Sequence, residues 1–253
     1  MISVVMPTYN EEKALPGTLC ALFSQPGDFE VLIVDGGSDD RTRAIAESFG
    51  FIDAAGDRGD SSPVSYPSCC EIRVTNGASR RVFTAPKGRA AQMNAGAEFA
   101  KGEWLLFLHA DTTLPGGAIR RLNELEADRT VQAGGFMHRF SGDDWRLKFI
   151  SSLDNFRCAR SRIIYGDQAL FVRRSLFERL GGFPKQRVLE DVAFCEKLIN
   201  VTKPLLLSPP VVTDSRKFVQ MGIWRSFARV LAIILHVEWG LPTLPLEFFR
   251  DIR

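Results

Sequence analysis

Residues 2–11 read Ile2-Ser3-Val4-Val5-Met6-Pro7-Thr8-Tyr9-Asn10-Glu11, and residues 29–39 read Phe29-Glu30-Val31-Leu32-Ile33-Val34-Asp35-Gly36-Gly37-Ser38-Asp39. Each is a short apolar run, rich in β-branched residues, that stops in a polar cluster. Between them Leu15, Thr18, Leu19 and Leu22 fall at the spacing of one buried helical face, predicting a helix from about residue 11 that Pro26-Gly27 closes. Ser38 or Asp39 is placed to cap a second helix running to Phe49, with Gly50 just past its end. Strands apolar on both faces, alternating with helices, predict an α/β fold: a mostly parallel central sheet with helices on both faces.

The rhythm continues outward, with a strand over 81–84, a helix over 89–100, a strand over 104–108 and a helix over 117–127. The second half is less regular. Strands are expected over 131–140 and 163–173 around a helix over 144–160, then a short helix ending at Gly181-Gly182 and a helix over 190–200. Residues 53–80, dominated by Gly, Ser, Pro, Asp and Asn, interrupt the pattern and read as a mobile insertion or a loop hiding a strand at 71–74. With no repeat and no linker, 1–253 reads as one domain.

Net charge is +2 over 253 residues, so no basic field points to nucleic acid, and any anion site must be local. The five cysteines include no C-x-x-C pair and read as reduced thiols of a cytoplasmic protein. No signal peptide is evident. Residues 223–241 are interrupted by Arg225, Arg229, His236 and Glu238 and fall short of the roughly 20 apolar residues that span a bilayer. They read either as a buried amphipathic helix or as an interfacial anchor giving peripheral membrane contact.

Ligands of open α/β sheets bind beyond the carboxyl ends of the strands. Three polar clusters meet that condition: Pro7 to Glu11, Asp35 to Asp39, and His109-Ala110-Asp111. Asp35 can accept hydrogen bonds from a ribose or base, or serve as a turn carboxylate, and Gly36 allows close backbone approach. Asp111 suits a hard divalent cation, Mn2+ or Mg2+, shared with substrate phosphates. His109 is a second ligand favouring Mn2+, a phosphate contact, or a packed strand-end histidine. Lys87-Gly88-Arg89 opens a helix and forms either a local anion site or a solvated turn. Glu190-Asp191 begins another helix, as dipole-favoured acids or as a general base for an acceptor hydroxyl.

In this order, V-V-M-P-T-Y-N-E-E, V-D-G-G-S-D-D-R-T, K-G-R-A-A-Q-M-N-A-G-A, L-F-L-H-A-D-T, Y-G-D-Q-A-L-F-V-R-R, G-G-F-P and L-E-D-V-A-F resemble inverting family 2 glycosyltransferases of the GT-A type. The Q-M-N-A-G-A and Y-G-D-Q segments are similar to a bacterial subfamily named for arsenosugar biosynthesis. The resemblance implies transfer of a sugar from a nucleotide-diphosphate sugar, a UDP-sugar in the first instance, to an unidentified acceptor hydroxyl. It divides the chain into a nucleotide-binding half (1–115), an acceptor and catalytic half (116–218) and a C-terminal helical segment (219–253). It further implies that Pro7, Thr8, Tyr9, Glu11, Asp35, Gly36, Lys87, Arg89, Gln92, Asn94, His109 and Ala110 line the nucleotide and diphosphate. Asp111 takes the metal position and Asp191, with Glu190, the base. Gly166, Asp167 and Gln168 border the acceptor, and Arg216 reaches the diphosphate. The departure is His109, which stands where the family's D-x-D motif has its first aspartate.

A nicotinamide oxidoreductase is disfavoured, because no G-x-G-x-x-G follows the first strand. A non-catalytic nucleotide-sugar-binding protein would have no use for Glu190-Asp191. A membrane-associated transferase with a lipid-linked acceptor would use 223–241.

Overall fold

The computed structural model describes residues 1–53, 79–186 and 188–239. Residues 54–78 of the expected insertion 53–80, with its strand at 71–74, Cys69 and Cys70, and the chain beyond 239 lie outside the described residues, while Asp53 and Arg80 at its ends belong to strands. In the first half the elements are β1 (Ile2–Thr8), α1 (Leu15–Phe23), β2 (Phe29–Asp35), α2 (Thr42–Ser48), β3 (Ile52–Asp53), β4 (Arg80–Thr84), α3 (Arg89–Phe99) and β5 (Trp104–Phe107). The second half adds β6 (Thr112–Thr113), α4 (Ala118–Glu124), β7 (Ala133–Phe140), α5 (Trp145–Ser161), β8 (Phe171–Arg173), α6 (Arg174–Arg179), α7 (Glu190–Ile199), β9 (Leu205–Thr213), α8 (Arg216–Gln220) and α9 (Ile223–Trp239).

The strands form one sheet in the order β3-β4-β2-β1-β5-β8-β7-β9-β6. From β3 through β5 every pairing is parallel, and β8 then pairs antiparallel to both β5 and β7. Because strand side chains alternate faces, β1 feeds two cores. Ile2, Val4 and Met6 pack with Leu15, Leu19 and Leu122 on one face. Val5 packs with Met93, Leu176, Phe194 and Leu198 on the other. Helices therefore cover both faces.

Four expectations need correction. α1 begins at Leu15 rather than near residue 11, because Pro16 belongs in a first helical turn, where its missing N–H costs nothing. Neither Ser38 nor Asp39 caps α2, which starts at Thr42; the Ser38 hydroxyl donates to Asp35 instead. The strand expected over 163–173 shrinks to β8, because Gly166–Gln168 forms a 3-10 turn in which the Tyr165 amide donates to Gln168 Oε1 at 3.0 Å. Cys20, half-buried on α1, is disulfide-bonded, whereas Cys158 and Cys195 are buried free thiols in the closed second core.

β9 was hidden by its prolines, which normally exclude a paired strand. The β7–β9 register shifts between Phe136, opposite Leu207, and His138, opposite Val211, so the Pro209-Pro210 pair falls in a bulge. Among the described residues no helix is long and apolar enough to cross a membrane.

Phe171 is fully buried where β8 joins β5 and β7, its ring edge-on to Trp104 at 5.5 Å and to Phe136 at 6.0 Å. Phe171→Ala should cost about 3–5 kcal/mol in urea unfolding. A loss below about 1 kcal/mol would mean that this junction does not hold the two halves of the sheet together.

Candidate active site

The loops after β1 and β2 are laced together. Thr8 pairs with Asp35 in the parallel register. Asp35 is buried, and its carboxylate accepts the amides of Gly37 (3.1 Å) and Ser38 (2.9 Å) and the hydroxyls of Ser38 (2.5 Å) and Thr8 (3.3 Å). The Asn10 amide donates to Ser38 Oγ, the Asp39 amide to Asn10 Oδ1, and the Glu11 amide to Thr42 Oγ1. Asn10 sits at φ 55°, a left-handed conformation that asparagine tolerates better than most residues.

α3 closes the floor of this region. Gln92 is buried and donates through Nε2 to the carbonyls of Thr8 (2.7 Å) and Val34 (2.8 Å), tying the ends of β1 and β2 to the helix. A Cβ on Gly36 would lie 3.1–3.2 Å from the Gln92 amide, so the close approach there is to protein. Asn94 clasps the Gly-Gly-Phe turn, accepting from the Phe183 amide at 2.9 Å and donating to its carbonyl at 2.8 Å. Asp35, Gln92 and Asn94 thus spend these polar atoms on the walls of the site. Pro7 is buried within β1, and the Ala110 carbonyl accepts from Thr18 Oγ1. At the mouth, Lys87 Nζ stands 3.6 Å over the Tyr9 ring centroid, a cation–π contact.

The second half reaches the same edge through α7. Leu189 precedes it at φ 59°, a strained backbone for a bulky residue that aims the first turn inward. Asp191 accepts from the Gly166 amide through Oδ2 at 2.6 Å and from the Val192 amide through Oδ1 at 2.9 Å. Gly166 has no room for a side chain: a Cβ there would lie 2.6 Å from His109 Cε1, 2.8 Å from its Nε2 and 3.3 Å from Asp191 Oδ2. His109, Gly166 and Asp191, from three distant segments, therefore meet at one point. Burial chiefly, and then Arg89, push the His109 imidazole down to about 4, against the pull of Asp111 and Asp191. It is neutral at pH 7. Arg89 Nε lies 2.7 Å from Glu190 Oε1 as an ion pair whose N–H is not aimed at the oxygen, which is otherwise without a hydrogen bond. Burial raises Glu190 above the ordinary carboxylate range, with Asp191 adding to the shift and Arg89 opposing it.

Beside this meeting point lies a cation that sequence reasoning missed. Lys217, at the start of α8, donates to Glu11 Oε1 at 2.8 Å and stands 3.6 Å from Asp111 Oδ2. No local pattern in the sequence announces a contact spanning 206 residues. Burial raises Glu11 even so. Arg216 is turned to Asp214, its Nε 2.6 Å from Oδ2. Glu11, Asp111, Asp214, Arg216 and Lys217 line a cavity of about 330 Å³. Among the described residues no three His, Cys, Asp or Glu side chains group as a metal cage. Asp111 stands beside Lys217 at this cavity, and a single carboxylate suits a hard ion whose other ligands are phosphate and water.

The turn of Gly166, Asp167 and Gln168 is braced from behind. His138 is buried, with Nε2 3.6 Å from Asp167 Oδ2 and Nδ1 3.9 Å from Asp154 Oδ2. Asp167 is raised by burial, and Gln168 is fully buried.

A sheet whose carboxyl edge gathers two laced loops, basic side chains and inward-facing acids from a late helix is that of a GT-A glycosyltransferase. The chain belongs to glycosyl transferase family 2, whose model matches residues 3–56 and 75–181. It is 31% identical over 264 residues to a PGL/p-HBAD biosynthesis glycosyltransferase of Mycobacterium bovis, covering 100% of this chain and 87% of that protein. In fold it is similar to the mannosyltransferase PcManGT of Pyrobaculum calidifontis, solved with GDP-Man and Mn2+ (TM-score 0.62, 23% identity, 99% of this chain, 67% of that one). It is also similar to S. aureus TarS 1-349 in complex with UDP-GlcNAc (TM-score 0.62, 17% identity, 99% of this chain, 70% of that one).

The depressed His109 sets a stability window. Above pH 6.5 the imidazole is neutral in both states; below it the unfolded chain binds a proton that the folded chain refuses until about pH 4. Stability should therefore fall with pH across that window, by about 2 kcal/mol at pH 5. Urea unfolding of His109→Asn should lack this slope, and an identical slope in the variant would assign the loss to other groups.

Proposed function

We propose that the chain is an inverting glycosyltransferase, moving a sugar from a nucleotide-diphosphate donor, a UDP-sugar in the first instance, to an acceptor hydroxyl with Asp191 as general base. The observation that carries this reading is the meeting of His109, Gly166 and Asp191 beside the Arg89–Glu190 pair. It sets a carboxylate from the second half against the edge where the first half offers its basic and backbone groups. The two amides on Asp191 leave carboxylate lone pairs free to accept a hydroxyl proton. A nonreactive binding protein would gain nothing from burying Glu190 and Asp191 there at the cost of their desolvation.

On this reading Thr8, Tyr9, Glu11 and Lys87 line the nucleotide, while Asp35, Gly36, Gln92 and Asn94 fix the walls that shape its pocket. Arg89, Arg216 and Lys217 offset the charge that develops on the leaving diphosphate. Asp111, with His109 alongside, would hold a divalent cation that neutralises the diphosphate when bound. Tyr165, Gly166, Asp167 and Gln168 border the acceptor. The protein neighbours solved with GDP-Man and with UDP-GlcNAc support a nucleotide-sugar donor and give both bases as arms of the test.

Asp191→Asn should leave the donor Kd within about twofold while lowering kcat for transfer roughly a hundredfold; undiminished turnover would remove Asp191 from the role. Asp111→Ala should abolish the tightening of donor binding by Mn2+ in calorimetry. Equal tightening in the variant would defeat the metal assignment.

A further inference from the structure

α5 carries apolar side chains on both of its faces. Its outward stripe, at positions i, i+4, i+8 and i+11, carries Trp145, Phe149, Leu153 and Phe156, with Trp145 67% and Phe156 70% exposed. Surface helices ordinarily turn such a stripe toward the core. Here the inward face also buries Leu147, Ile150 and Cys158, beside Asp154 and Arg157, the residues that brace the acceptor turn. The apolar surface does not end with α5. Trp145 meets Trp224 of α9 edge-on at 6.3 Å, and α9 has apolar side chains on two sides: Ile223 and Ile233 buried, Trp224 and Leu231 exposed. Isolated apolar residues on a surface are ordinary, but a contiguous run of six large ones marks an interaction surface.

The charge on these helices selects the partner. With the flanking Asp143 and Asp144 counted, α5 and α9 together hold six Lys and Arg against four Asp and Glu. Lys148 and Arg146 are neutralised by Asp143 and Asp144, but exposed Arg160 and Arg225 make no ion pair among the described residues. Aromatic and long apolar side chains rimmed by free cations match an anionic bilayer, where rings sit at headgroup depth and arginines reach the phosphates. A protein partner of the same size would be read by shape and paired polar groups.

We propose that the outer face of α5 and α9 docks on an anionic membrane surface, the helices lying in the plane of the headgroups. Resting on the transferase reading, this also places the acceptor turn one helix thickness from the lipid: Arg157 lies 3.8 Å over the Tyr165 ring on the inner side of the helix whose outer side faces the bilayer. The acceptor class is then a hydroxyl carried at the membrane surface on a lipid.

The test is flotation of the full chain with vesicles of phosphatidylcholine alone and with 30% (on the order of typical anionic content) phosphatidylglycerol. Wild type should float with the anionic vesicles at least tenfold more than with the neutral ones. Phe149→Ser/Phe156→Ser and, separately, Arg160→Glu/Arg225→Glu should each remove most of that binding. Donor binding followed by thermal shift should be unchanged in both variants, which separates lost docking from lost folding and from failure of the transferase reading. Wild type that stays at the bottom with anionic vesicles, or variants that float as well as wild type, would overturn the proposal. So would a wild-type dimer in sedimentation that the serine variant converts to monomer, because the face would then be covered by a second copy.

Discussion

The contact of His109, Gly166 and Asp191 is the constraint around which the molecule is arranged. His109 follows β5, Asp191 opens α7, and the amide joining them belongs to a 3-10 turn before β8. Only a glycine fits between the imidazole and the carboxylate, so the two halves of the chain approach to van der Waals contact there. The antiparallel pairing of β8 with β5 makes this possible. It reverses the chain beside the central strand and returns the second half to the edge where the parallel strands end. A further parallel strand would require a crossover helix at that place.

Around that point the site resolves a conflict between burial and charge. Glu11, Asp167 and Glu190 are all raised by desolvation, and each faces a basic side chain: Lys217, His138 and Arg89 respectively. Buried charges are tolerated when paired, and removing one partner costs more than the pair contributes. Lys217 draws Glu11 and Asp111 together as a shared ion-pair partner. A nearly neutral chain thus concentrates both signs of charge at one edge, while the cores beneath are sealed by Leu, Val, Ile and Phe.

α5 connects this chemistry to the surface. One face supplies Asp154 and Arg157 behind the 165–168 turn, and the other presents four large apolar side chains to the outside. Its N-cap is an ordinary Asp144 accepting from the Arg146 amide, so the helix itself is locally well specified. What is unusual is the apolar stripe on its outer side; its inner side is tied to β7, whose His138 backbone makes two hydrogen bonds with Asn155.

The sequence by itself determined the parallel half of the fold and the edge where its polar loops gather. Ile2–Thr8 and Phe29–Asp35 are apolar on both faces, and such strands are stable only between two layers of helices. It also marked the loops after β1, β2 and β5, because a polar cluster ending a buried strand has no other place to go. Tertiary structure alone decided β9, whose prolines are absorbed by a bulge that its partner strand accommodates, and the break of 163–173, set by the Gln168 side chain. It alone decided that Gln92 and Asn94 turn these polar atoms toward backbone groups, that Asp35 accepts from the amides and hydroxyls of its own turn and from Thr8, and that Lys217 reaches back to Glu11. A hydrogen-bond partner or an ion pair across 206 residues depends on where the sheet register brings two chain ends, and no periodicity in one segment encodes that distance.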